Sequence, residues 1–372
     1  CGHCSGSGIC RENGRKINMK LCLITYDMNL VGGIEQVIST LSSQFAGSFG
    51  WNIDILSLNS TKQDTFFPLS EKVRILHGKA KNIEEGKQVM RTYLLGGEKK
   101  YDVILTFHLF IGDEMARIAG KLPTGTKWVA TEHNSVSYYT WKRKLINYLV
   151  YRRADALVVL SEVSASYYRK KGFRHVTVIP NAVSFETEEV SPLDQKQMLA
   201  VGRMEPVKGY EKLIQSFLLA AEQEKAWKLR MVGDGSLKEK LEQQAGGLKA
   251  KDRIEFPGYR KNIRDELMKS SLLVISSEHE CFPVIALEAM ECGVPILSFA
   301  IPEICEMDGK SGAMAFVEQG NVEKMAEKMV ELMQNPHLLQ EMGCAAKARA
   351  AAYHRDGIGE RWKMFLTELC SR

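Results

Sequence analysis

Several features of membrane-embedded and secreted proteins are missing from this sequence of 372 residues. No apolar run reaches the roughly 18 residues that a membrane-spanning helix needs. The first residues are polar and glycine-rich, so they lack the basic and then apolar pattern of a secretory signal. Beyond the first ten residues, the cysteines are scattered without the spacing of a disulfide framework. These absences predict a cytoplasmic protein without an integral membrane segment.

The start of the chain differs in pattern from the rest. Met19 stands directly before the first predicted strand, so we expect it to be the natural start and residues 1–18 to be a non-native or disordered extension. The pattern CxxCxGxG at the very beginning resembles one repeat of the zinc-binding region of DnaJ-type chaperones. Such a zinc site needs two paired repeats to supply four thiolates, and the chain offers one. We therefore predict no metal site there.

Short apolar runs alternate with helical patterns through the remainder of the chain. The runs are rich in Val, Ile and Leu, as is typical of parallel strands buried on both faces. With 45% hydrophobic residues, the chain is long enough for two domains of ordinary size. The predicted strands form two series, the first at 21–26, 51–58, 73–76, 102–107, 127–131, 157–160 and 176–179, the second at 198–201, 229–232, 253–256, 272–276, 295–299 and 313–317.

An acidic, proline-bearing stretch separates the two series and is typical of an interdomain linker. We predict an α/β domain at 19–182, the linker at 183–197, a second α/β domain at 198–355 and a final helix at 356–372. Sheets of this kind bind ligands at the carboxyl ends of their strands. Motifs at strand ends should therefore meet in one cleft.

Two carboxylates bracket a predicted turn from a buried strand into a helix. Glu280 and Glu288 are the first and last residues of ECFPVIALE, which follows the apolar run 272–275 and precedes Gly293. The free N–H groups and positive end of a helix suit a phosphate. Carboxylates suit the hydroxyls of a sugar or ribose. The segment therefore predicts a nucleotide-sugar pocket.

Two further motifs supply groups that suit a diphosphate. Arg203 and Lys208 lie in VGRMEPVKG, between a predicted strand and an amphipathic stretch at 210–221. A guanidinium fork and a mobile ammonium can both neutralise phosphate charge. Gly32 and Gly33 follow the first predicted strand, where paired glycines let the backbone approach a phosphate closely.

In this order and at these distances, the three motifs resemble the retaining family-four glycosyltransferases of the GT-B fold. The resemblance runs from about Met19 to the C-terminus. It implies two doubly wound Rossmann-like domains facing across a cleft, the first binding the acceptor and the second the nucleotide sugar. It also implies a C-terminal helix that crosses back to the first domain. Shorter matches accompany it: HN at 133–134, IPNAV at 179–183, VGDG at 232–235, FPG at 256–258 and DGKSG at 308–312.

The resemblance implies a role for each charged residue of the motifs. Arg203 and Lys208 would hold the donor diphosphate and offset the charge that grows on the leaving nucleotide. Glu288 would accept hydrogen bonds from the ribose hydroxyls, and Glu280 would hold hydroxyls of the donor sugar. The alternative for Glu288 is an ordinary carboxylate near a helix N-terminus, which the helix dipole favours.

His133 and Asn134 follow a predicted strand and should face the cleft. In the family the matching histidine lies beside the donor sugar, so we expect His133 to orient that sugar and Asn134 to contact the substrate. His108 also follows a strand but lacks this support, and we expect it to be structural. Tyr259 begins a loop that should border the nucleotide base.

The turn after Glu280 should contact the donor mainly through its backbone. Phe282 and Val284 can offer N–H groups, whereas Pro283 has none. Many relatives have glycine where Cys281 stands, so its side chain would narrow the pocket near the sugar or phosphate. A reactive thiol beside a helix N-terminus is the alternative interpretation of Cys281.

No Asp-x-Asp motif occurs in the sequence. Metal-dependent GT-A transferases hold the donor diphosphate through a divalent ion near such a motif, whereas Arg203 and Lys208 already supply positive charge here. We predict a retaining, metal-independent hexosyltransferase without a cofactor. From the resemblance we favour a same-face displacement, in which a donor phosphate oxygen takes the acceptor proton, and UDP ahead of GDP as the donor nucleotide.

Charge divides at the predicted domain boundary. Residues 19–182 contain 22 Lys and Arg against 14 Asp and Glu, a net charge of +8, whereas 183–372 contain 25 against 30, a net charge of −5. Within 141–175, cations are interleaved with interfacial residues, which suits an anionic membrane surface. The alternative is a solvated helical face. Binding of nucleic acid is less favoured, because no nucleic-acid module surrounds the cluster. The cations are Lys142, Arg143, Lys144, Arg152, Arg153, Arg169, Lys170, Lys171 and Arg174, and the interfacial residues are Trp141, Tyr148, Leu149, Tyr151, Tyr167, Tyr168 and Phe173.

The predicted function is transfer of a sugar from a nucleoside-diphosphate sugar to a glycan or polyprenyl-diphosphate-linked acceptor, in cell-surface polysaccharide or glycolipid synthesis. The enzyme would dock peripherally on the inner face of the membrane. Two alternatives remain. A GT-B nucleotide-sugar epimerase would consume donor without forming a glycoside, and a non-catalytic sugar-nucleotide or glycan-binding protein would bind donor without turnover. The presence of both carboxylates together with Arg203 and Lys208 argues against a non-catalytic binding protein.

Overall fold

The structure is a computed structural model that describes residues 18–60, 65–96, 101–246 and 251–372. The predicted extension, except for its last residue, lies outside these ranges. The described part contains two parallel sheets, each covered by helices. This confirms the predicted pair of Rossmann-like domains.

The first sheet has seven described strands in the order β3-β2-β1-β4-β5-β6-β7, all parallel. Leu21 in the central strand pairs with Ile53 on one side and Val103 on the other. Its elements are β1 Lys20–Thr25, α1 Gly33–Ser48, β2 Asn52–Ser57, β3 Val73–His77, α2 Ile83–Leu95, β4 Val103–Thr106, α3 Leu109–Ile118, β5 Lys127–Glu132, α4 Trp141–Tyr151, β6 Ala156–Val159, α5 Glu162–Lys170 and β7 Val176–Val178, with 3-10 turns at Ala119–Lys121 and Val136–Tyr138.

Burial on both faces explains the continuous apolar runs of these strands. In β1, Leu21 and Leu23 pack into the cluster that contains α1, whereas Cys22 and Ile24 pack into the cluster on the opposite face. All four side chains are fully buried. A strand covered by helices on both sides has no solvent face, so it does not alternate between apolar and polar residues.

The second sheet has six described strands in the order β10-β9-β8-β11-β12-β13, also parallel. Its elements are β8 Gln197–Val201, α6 Tyr210–Gln223, β9 Lys228–Val232, α7 Lys238–Gly246, β10 Ile254–Gly258, α8 Ile263–Met268, β11 Leu272–Ile275, α9 Val284–Glu291, β12 Ile296–Phe299, α10 Pro302–Asp308, β13 Met314–Val317, α11 Val322–Met333, α12 Pro336–Ala350 and α13 Arg355–Ser371, with 3-10 turns at Pro206–Lys208, Lys251–Arg253 and Ala351–Tyr353. The thirteen predicted strands all occur, with ends within two residues of those predicted.

The last helix returns to the first domain. Trp362 of α13 is 3% exposed, and its ring centroid lies 6.1 Å from that of Phe45 in α1. Ile358, Leu366 and Leu369 join the same core cluster as α1. This confirms the predicted crossing, and the chain therefore passes between the domains twice.

The strand order of each sheet reverses beside its first strand, between β1 and β4 and between β8 and β11. At such a point the loops at the carboxyl ends diverge to opposite faces of the sheet and leave a crevice. No helix in the described ranges combines the length and apolarity that a membrane crossing requires.

Candidate functional site

A cleft of about 1250 Å³ lies between the two domains, at the carboxyl ends of both sheets. Its walls include strand-end residues from the first domain, the linker and the second domain. The structure brings together in this cleft every position predicted for the site, namely Gly32, Gly33, His133, Asn134, Arg203, Lys208, Tyr259, Glu280, Cys281, Phe282, Pro283, Val284 and Glu288. Their roles stay predictions.

The start of α1 presents backbone to the cleft. A side chain at Gly32 would overlap the carboxylate of Glu35, which folds back over the first turn of α1, whereas a Cβ at Gly33 would meet open space. Glu35 is 4% exposed, and its Oε1 lies 3.7 Å from Nε2 of His108. His108 is also 3.0 Å from the hydroxyl of Thr25. These contacts support the first turn of α1, whose free N–H groups can face an anion.

The loop after β8 holds Lys208 against the second carboxylate motif. Nζ of Lys208 lies 2.6 Å from Oε1 of Glu280, to which the Ser277 hydroxyl also donates at 2.7 Å. The Ser276 hydroxyl donates to the backbone carbonyl of Lys208 at 2.8 Å. Gly209 has φ of 63°, and a side chain there would overlap the carbonyl oxygen of Ser276. Glycine is needed because the loop passes so close to the end of β11.

Arg203 is a basic group of the cleft that is available to a ligand. Its side chain is exposed, and no described residue forms a hydrogen bond or ion pair with its guanidinium. Lys208, by contrast, is already paired with Glu280. A bound diphosphate could therefore contact Arg203 directly and draw Lys208 away from the carboxylate.

Glu288 lies in the second turn of α9, facing the cleft rather than capping the helix. It is 5% exposed, and burial raises its pKa. Gln36 of α1 donates from Nε2 to its Oε1 at 2.7 Å, and the Ser184 hydroxyl donates to the same oxygen. Sequence reasoning missed both donors. The signal for Gln36 was its position three residues after Gly33, which places it on the same face of a helix.

Cys281 is a buried neutral thiol. It is 5% exposed, and burial together with nearby carboxylates, among them Glu132 and Glu280, raises its pKa well above the usual value. A thiol of this kind is inert, since the thiolate is the reactive form; this disfavours the alternative of a reactive cysteine. The next residue, Phe282, accepts a hydrogen bond at its carbonyl from Nδ2 of Asn181 at 2.9 Å.

His133 follows β5 and is uncharged at neutral pH. Burial and the neighbouring His108 lower its pKa to about 3. Its Nε2 lies 3.1 Å from the hydroxyl of Thr131, and its ring centroid lies 5.4 Å from that of Phe107. Nδ1 is the ring nitrogen that this contact leaves for a ligand. A neutral imidazole can accept or donate one hydrogen bond there, depending on its tautomer.

Tyr259 closes one end of the cleft together with the first domain. Its side chain is partly exposed, and its ring centroid lies 5.2 Å from that of Phe66, in an edge-to-face arrangement. Phe67 follows as part of the cleft wall. The sequence analysis predicted that Tyr259 borders the nucleotide base. It missed Phe66 and Phe67, which belong to a loop of the other domain.

The basic segment 141–175 does not present all of its predicted interfacial residues. Tyr151 and Tyr168 are 4% and 2% exposed and point into the first domain, so their prediction as surface residues was wrong. Their hydroxyls hydrogen-bond to Glu132, which made an inward orientation favourable. Trp141 and Leu149 are exposed as predicted, at 72% and 59%.

In the described ranges, no three His, Cys, Asp or Glu side chains come together as ligands of a metal ion would. A divalent ion that binds with a donor diphosphate is coordinated by phosphate oxygens as well as by protein side chains. The predicted metal independence therefore stays a prediction.

Two family models match the chain in succession. The model described as Glycosyltransferase Family 4 matches residues 31–187, and the model described as Glycosyl transferases group 1 matches residues 184–349. The boundary between the two matches falls at the start of the predicted linker. The chain belongs to the family-four glycosyltransferases of the GT-B fold.

Individual relatives are similar over most of this chain. An exopolysaccharide phosphotransferase of Streptomyces coelicolor is 26% identical over 95% of this chain, which spans 41% of that protein's length. An amylovoran biosynthesis glycosyltransferase of Erwinia amylovora, AmsD, is 23% identical over 93% of this chain and 99% of its own length. The crystal structure of S. aureus TarM in complex with fondaparinux, alpha-GlcNAc-glycerol and UDP has a TM-score of 0.77 at 13% identity, over 94% of this chain and 99% of TarM. The last comparison establishes the shared fold.

Proposed function

We propose that this protein transfers a sugar, with retention of anomeric configuration, from a nucleoside-diphosphate sugar to a glycan or lipid-linked sugar acceptor. UDP is the favoured donor nucleotide, and the product belongs to a cell-surface polysaccharide or glycolipid. The observation that carries the proposal is one cleft in which Arg203 and Lys208 face the glycine-rich start of α1 beside two buried or half-buried carboxylates.

Each part of a nucleotide sugar has a chemical partner in this cleft. Arg203, Lys208 and the first N–H groups of α1 suit the diphosphate, whose negative charge grows as the bond to the sugar breaks. Glu288 suits the ribose hydroxyls, which can replace the hydrogen bonds that Gln36 and Ser184 donate to it. Glu280 suits hydroxyls of the donor sugar once the phosphate has drawn Lys208 away.

Retention follows from a displacement on one face of the sugar. The acceptor hydroxyl attacks the anomeric carbon from the side of the departing diphosphate, and a phosphate oxygen takes its proton. Positive charge on Arg203 and Lys208 stabilises the leaving diphosphate in the transition state more than in the ground state. The neutral His133 orients the sugar through a hydrogen bond at Nδ1. No bound metal is required in this scheme.

Two relatives support the finer parts of the proposal. UDP is present in the TarM complex, which shares the fold, and this favours UDP as the donor nucleotide. AmsD, which aligns over nearly its whole length, is an amylovoran biosynthesis glycosyltransferase, and this favours a polysaccharide or lipid-linked glycan as the acceptor.

The proposal includes peripheral docking on an anionic membrane through one face of α4. Trp141, Leu145 and Leu149 are spaced by four residues and are 72%, 53% and 59% exposed, so they form one apolar stripe. Lys142 and Arg152 are exposed on the same segment. Apolar side chains flanked by cations suit the boundary of an anionic bilayer.

Sedimentation with vesicles of neutral and of anionic phospholipid tests the docking. We expect binding to anionic vesicles, lost when Trp141 and Leu149 are both replaced by serine. Met364→Ser is the matched control, because Met364 is an equally exposed apolar residue on α13. Binding that is independent of lipid charge, or equal in the double variant, contradicts the membrane part of the proposal.

A thermal-shift panel of UDP, GDP, ADP and CMP, with and without magnesium, tests the donor pocket. We expect stabilisation by one nucleoside diphosphate, UDP first, which is independent of magnesium and lost in Lys208→Ala. Lys212→Ala is the control, because Lys212 is paired with Glu278 at 2.9 Å and does not line the cleft.

Product analysis then separates the proposed reaction from its alternatives. Proton NMR of the glycoside formed from the stabilising donor class should give the same anomeric configuration as the donor. Donor consumption without a glycoside would support an epimerase. Tight donor binding with no turnover on any glycan or lipid-linked acceptor would support a non-catalytic binding protein.

A further inference from the structure

Glu132 is a buried carboxylate next to the cleft that the proposed reaction does not use. It is the last residue of β5, is 1% exposed, and directly precedes His133 and Asn134. Burying a carboxylate is unfavourable unless hydrogen bonds offset the loss of water. The buried carboxylate of Glu132 therefore needs hydrogen-bond donors.

The structure supplies four donors to this carboxylate. Oε1 accepts from the backbone N–H of Asn134 at 2.9 Å and from the hydroxyl of Tyr139 at 2.8 Å. Oε2 accepts from the hydroxyls of Tyr151 at 2.8 Å and Tyr168 at 3.2 Å. Both oxygens are thus saturated by groups from four different places: the cleft loop, the residue after the 3-10 turn Val136–Tyr138, α4 and α5.

The donors stay protonated in this environment. Burial and the nearby carboxylate raise the pKa of each of the three tyrosines well above its usual value. Burial also raises the pKa of Glu132 itself, while its four hydrogen bonds act in the opposite direction. Either protonation state of the carboxyl group keeps oxygen acceptors for the N–H of Asn134 and the tyrosine hydroxyls.

We propose that Glu132 is a positioning residue, which holds the His133–Asn134 segment in its place in the cleft by tying the N–H of Asn134 to Tyr139, Tyr151 and Tyr168. The inference rests on the proposed function, in which His133 orients the donor sugar. Glu132 does not line the cleft and acts through its neighbours. Small displacements of an orienting group can reduce a rate substantially while ligand binding changes little.

Kinetics of four variants test this role. Glu132→Gln keeps the shape of the side chain but replaces one acceptor oxygen by a donor, and Tyr151→Phe and Tyr168→Phe each remove one hydroxyl. Tyr167→Phe is the matched control, because Tyr167 is the neighbour of Tyr168 on α5 and its hydroxyl does not donate to Glu132. The donor is the compound on which wild type is most active, taken from a panel of UDP- and GDP-sugars.

We expect kcat to fall about tenfold or more in Glu132→Gln and about threefold in each of the two tyrosine variants. The donor KM should stay within about twofold of wild type, since the diphosphate and ribose contacts are unchanged. Tyr167→Phe should match wild type. Unchanged kcat in Glu132→Gln, Tyr151→Phe and Tyr168→Phe overturns the proposal, as does a loss confined to KM.

NMR of the free protein gives a readout that needs no substrate. In protein labelled with carbon-enriched histidine, the imidazole signal of His133 is assigned by its loss in His133→Gln. We expect this signal to move in Glu132→Gln while that of the exposed His337 stays in place. If Glu132→Gln does not fold, Tyr151→Phe and Tyr168→Phe carry the same test, because they keep the rings that fill the core.

The two measurements distinguish failure of the inference from failure of the proposed function. A His133 signal that moves in a protein whose wild type transfers no sugar supports the positioning and counts against the proposed function. A wild type that transfers sugar, together with an unmoved His133 signal and unchanged kcat in the variants, overturns the positioning and leaves the proposed function intact.

Discussion

Gln36 and Glu288 join the two domains across the cleft by one hydrogen bond, from Nε2 to Oε1 at 2.7 Å. The donor belongs to α1 of the first domain and the acceptor to α9 of the second. Glu288 is also the carboxylate proposed to bind ribose. The protein thus supplies its own donors, Gln36 and Ser184, to the group that is proposed to bind a nucleotide.

Removing this donor should favour nucleotide binding. In Gln36→Ala, a ribose no longer competes with Gln36 for Glu288, and the net value of one such hydrogen bond is about 1 kcal/mol. We expect the Kd for UDP, measured by isothermal titration calorimetry, to fall about fivefold. Thr40→Ala is the control, because Thr40 lies one turn further along α1 in the cleft wall and donates only to the carbonyl of Gln36. Weaker UDP binding in Gln36→Ala would mean that Gln36 assists the nucleotide instead.

Lys208 should contribute strongly to the rate. Lys208→Ala removes positive charge from the diphosphate site and leaves Glu280 without its ion-pair partner, which repels phosphate further. We expect kcat/KM for the donor to fall about 100-fold or more, as for loss of one group that stabilises transition-state charge. Steady-state kinetics provide the measurement, with Lys212→Ala as control. Equal kcat/KM values in the two variants would place the diphosphate elsewhere.

Gly209 should not tolerate a side chain. Its φ of 63° lies in the left-handed region, and a Cβ would overlap the carbonyl oxygen of Ser276. We expect Gly209→Ala to lower the free energy of unfolding by about 1–3 kcal/mol. Urea denaturation measures this loss, with Gly120→Ala as control because a Cβ there meets no atom within 4 Å. A neutral effect at Gly209 would show that the loop can move away from β11.

His133 should make stability depend on pH in the acid range. The folded state keeps the imidazole neutral down to a pKa of about 3, whereas the unfolded chain takes up a proton near 6.5. Between these values the unfolded state binds more protons, so the contribution of His133 is fully present above pH 6.5 and is lost as the pH falls towards 3.

Thermal unfolding at pH 7 and at pH 5 measures this contribution. We expect the decrease in Tm between the two to be smaller in His133→Gln than in wild type. His337→Gln, which removes an exposed histidine from α12, should show the wild-type decrease. An unchanged decrease in His133→Gln would mean that other groups carry the acid sensitivity.

The strand pattern and the main motifs were predictable because each depends on local sequence. Apolar runs such as 272–275 are bounded by polar or glycine-bearing turns, and parallel order places their carboxyl ends at one edge. Arg203, Glu280 and Gly33 all follow such runs and all reach the cleft. To predict that these residues meet, it was enough to know that the strands are parallel; the detailed packing was not needed.

The orientation of α4 and α5 could not be predicted in the same way. Tyr148 and Tyr151 are both aromatic residues in a basic helix, yet only Tyr151 reaches Glu132. The sequence contains no signal that distinguishes a surface tyrosine from one that donates to a buried carboxylate on another element. The prediction for Tyr151 and Tyr168 was wrong for this reason.

Local sequence patterns were enough to predict the two series of buried strands, the glycine-bearing turns between strands and helices, and the set of charged residues at the strand ends. These follow from hydrophobic periodicity and from backbone conformations that particular residue types favour. Tertiary structure alone decided which distant groups meet: Gln36 with Glu288, 252 positions apart, and Glu132 with the tyrosines of two helices. Such pairs depend on how whole elements pack, because burial of a carboxylate selects whatever donors the packed elements bring within reach.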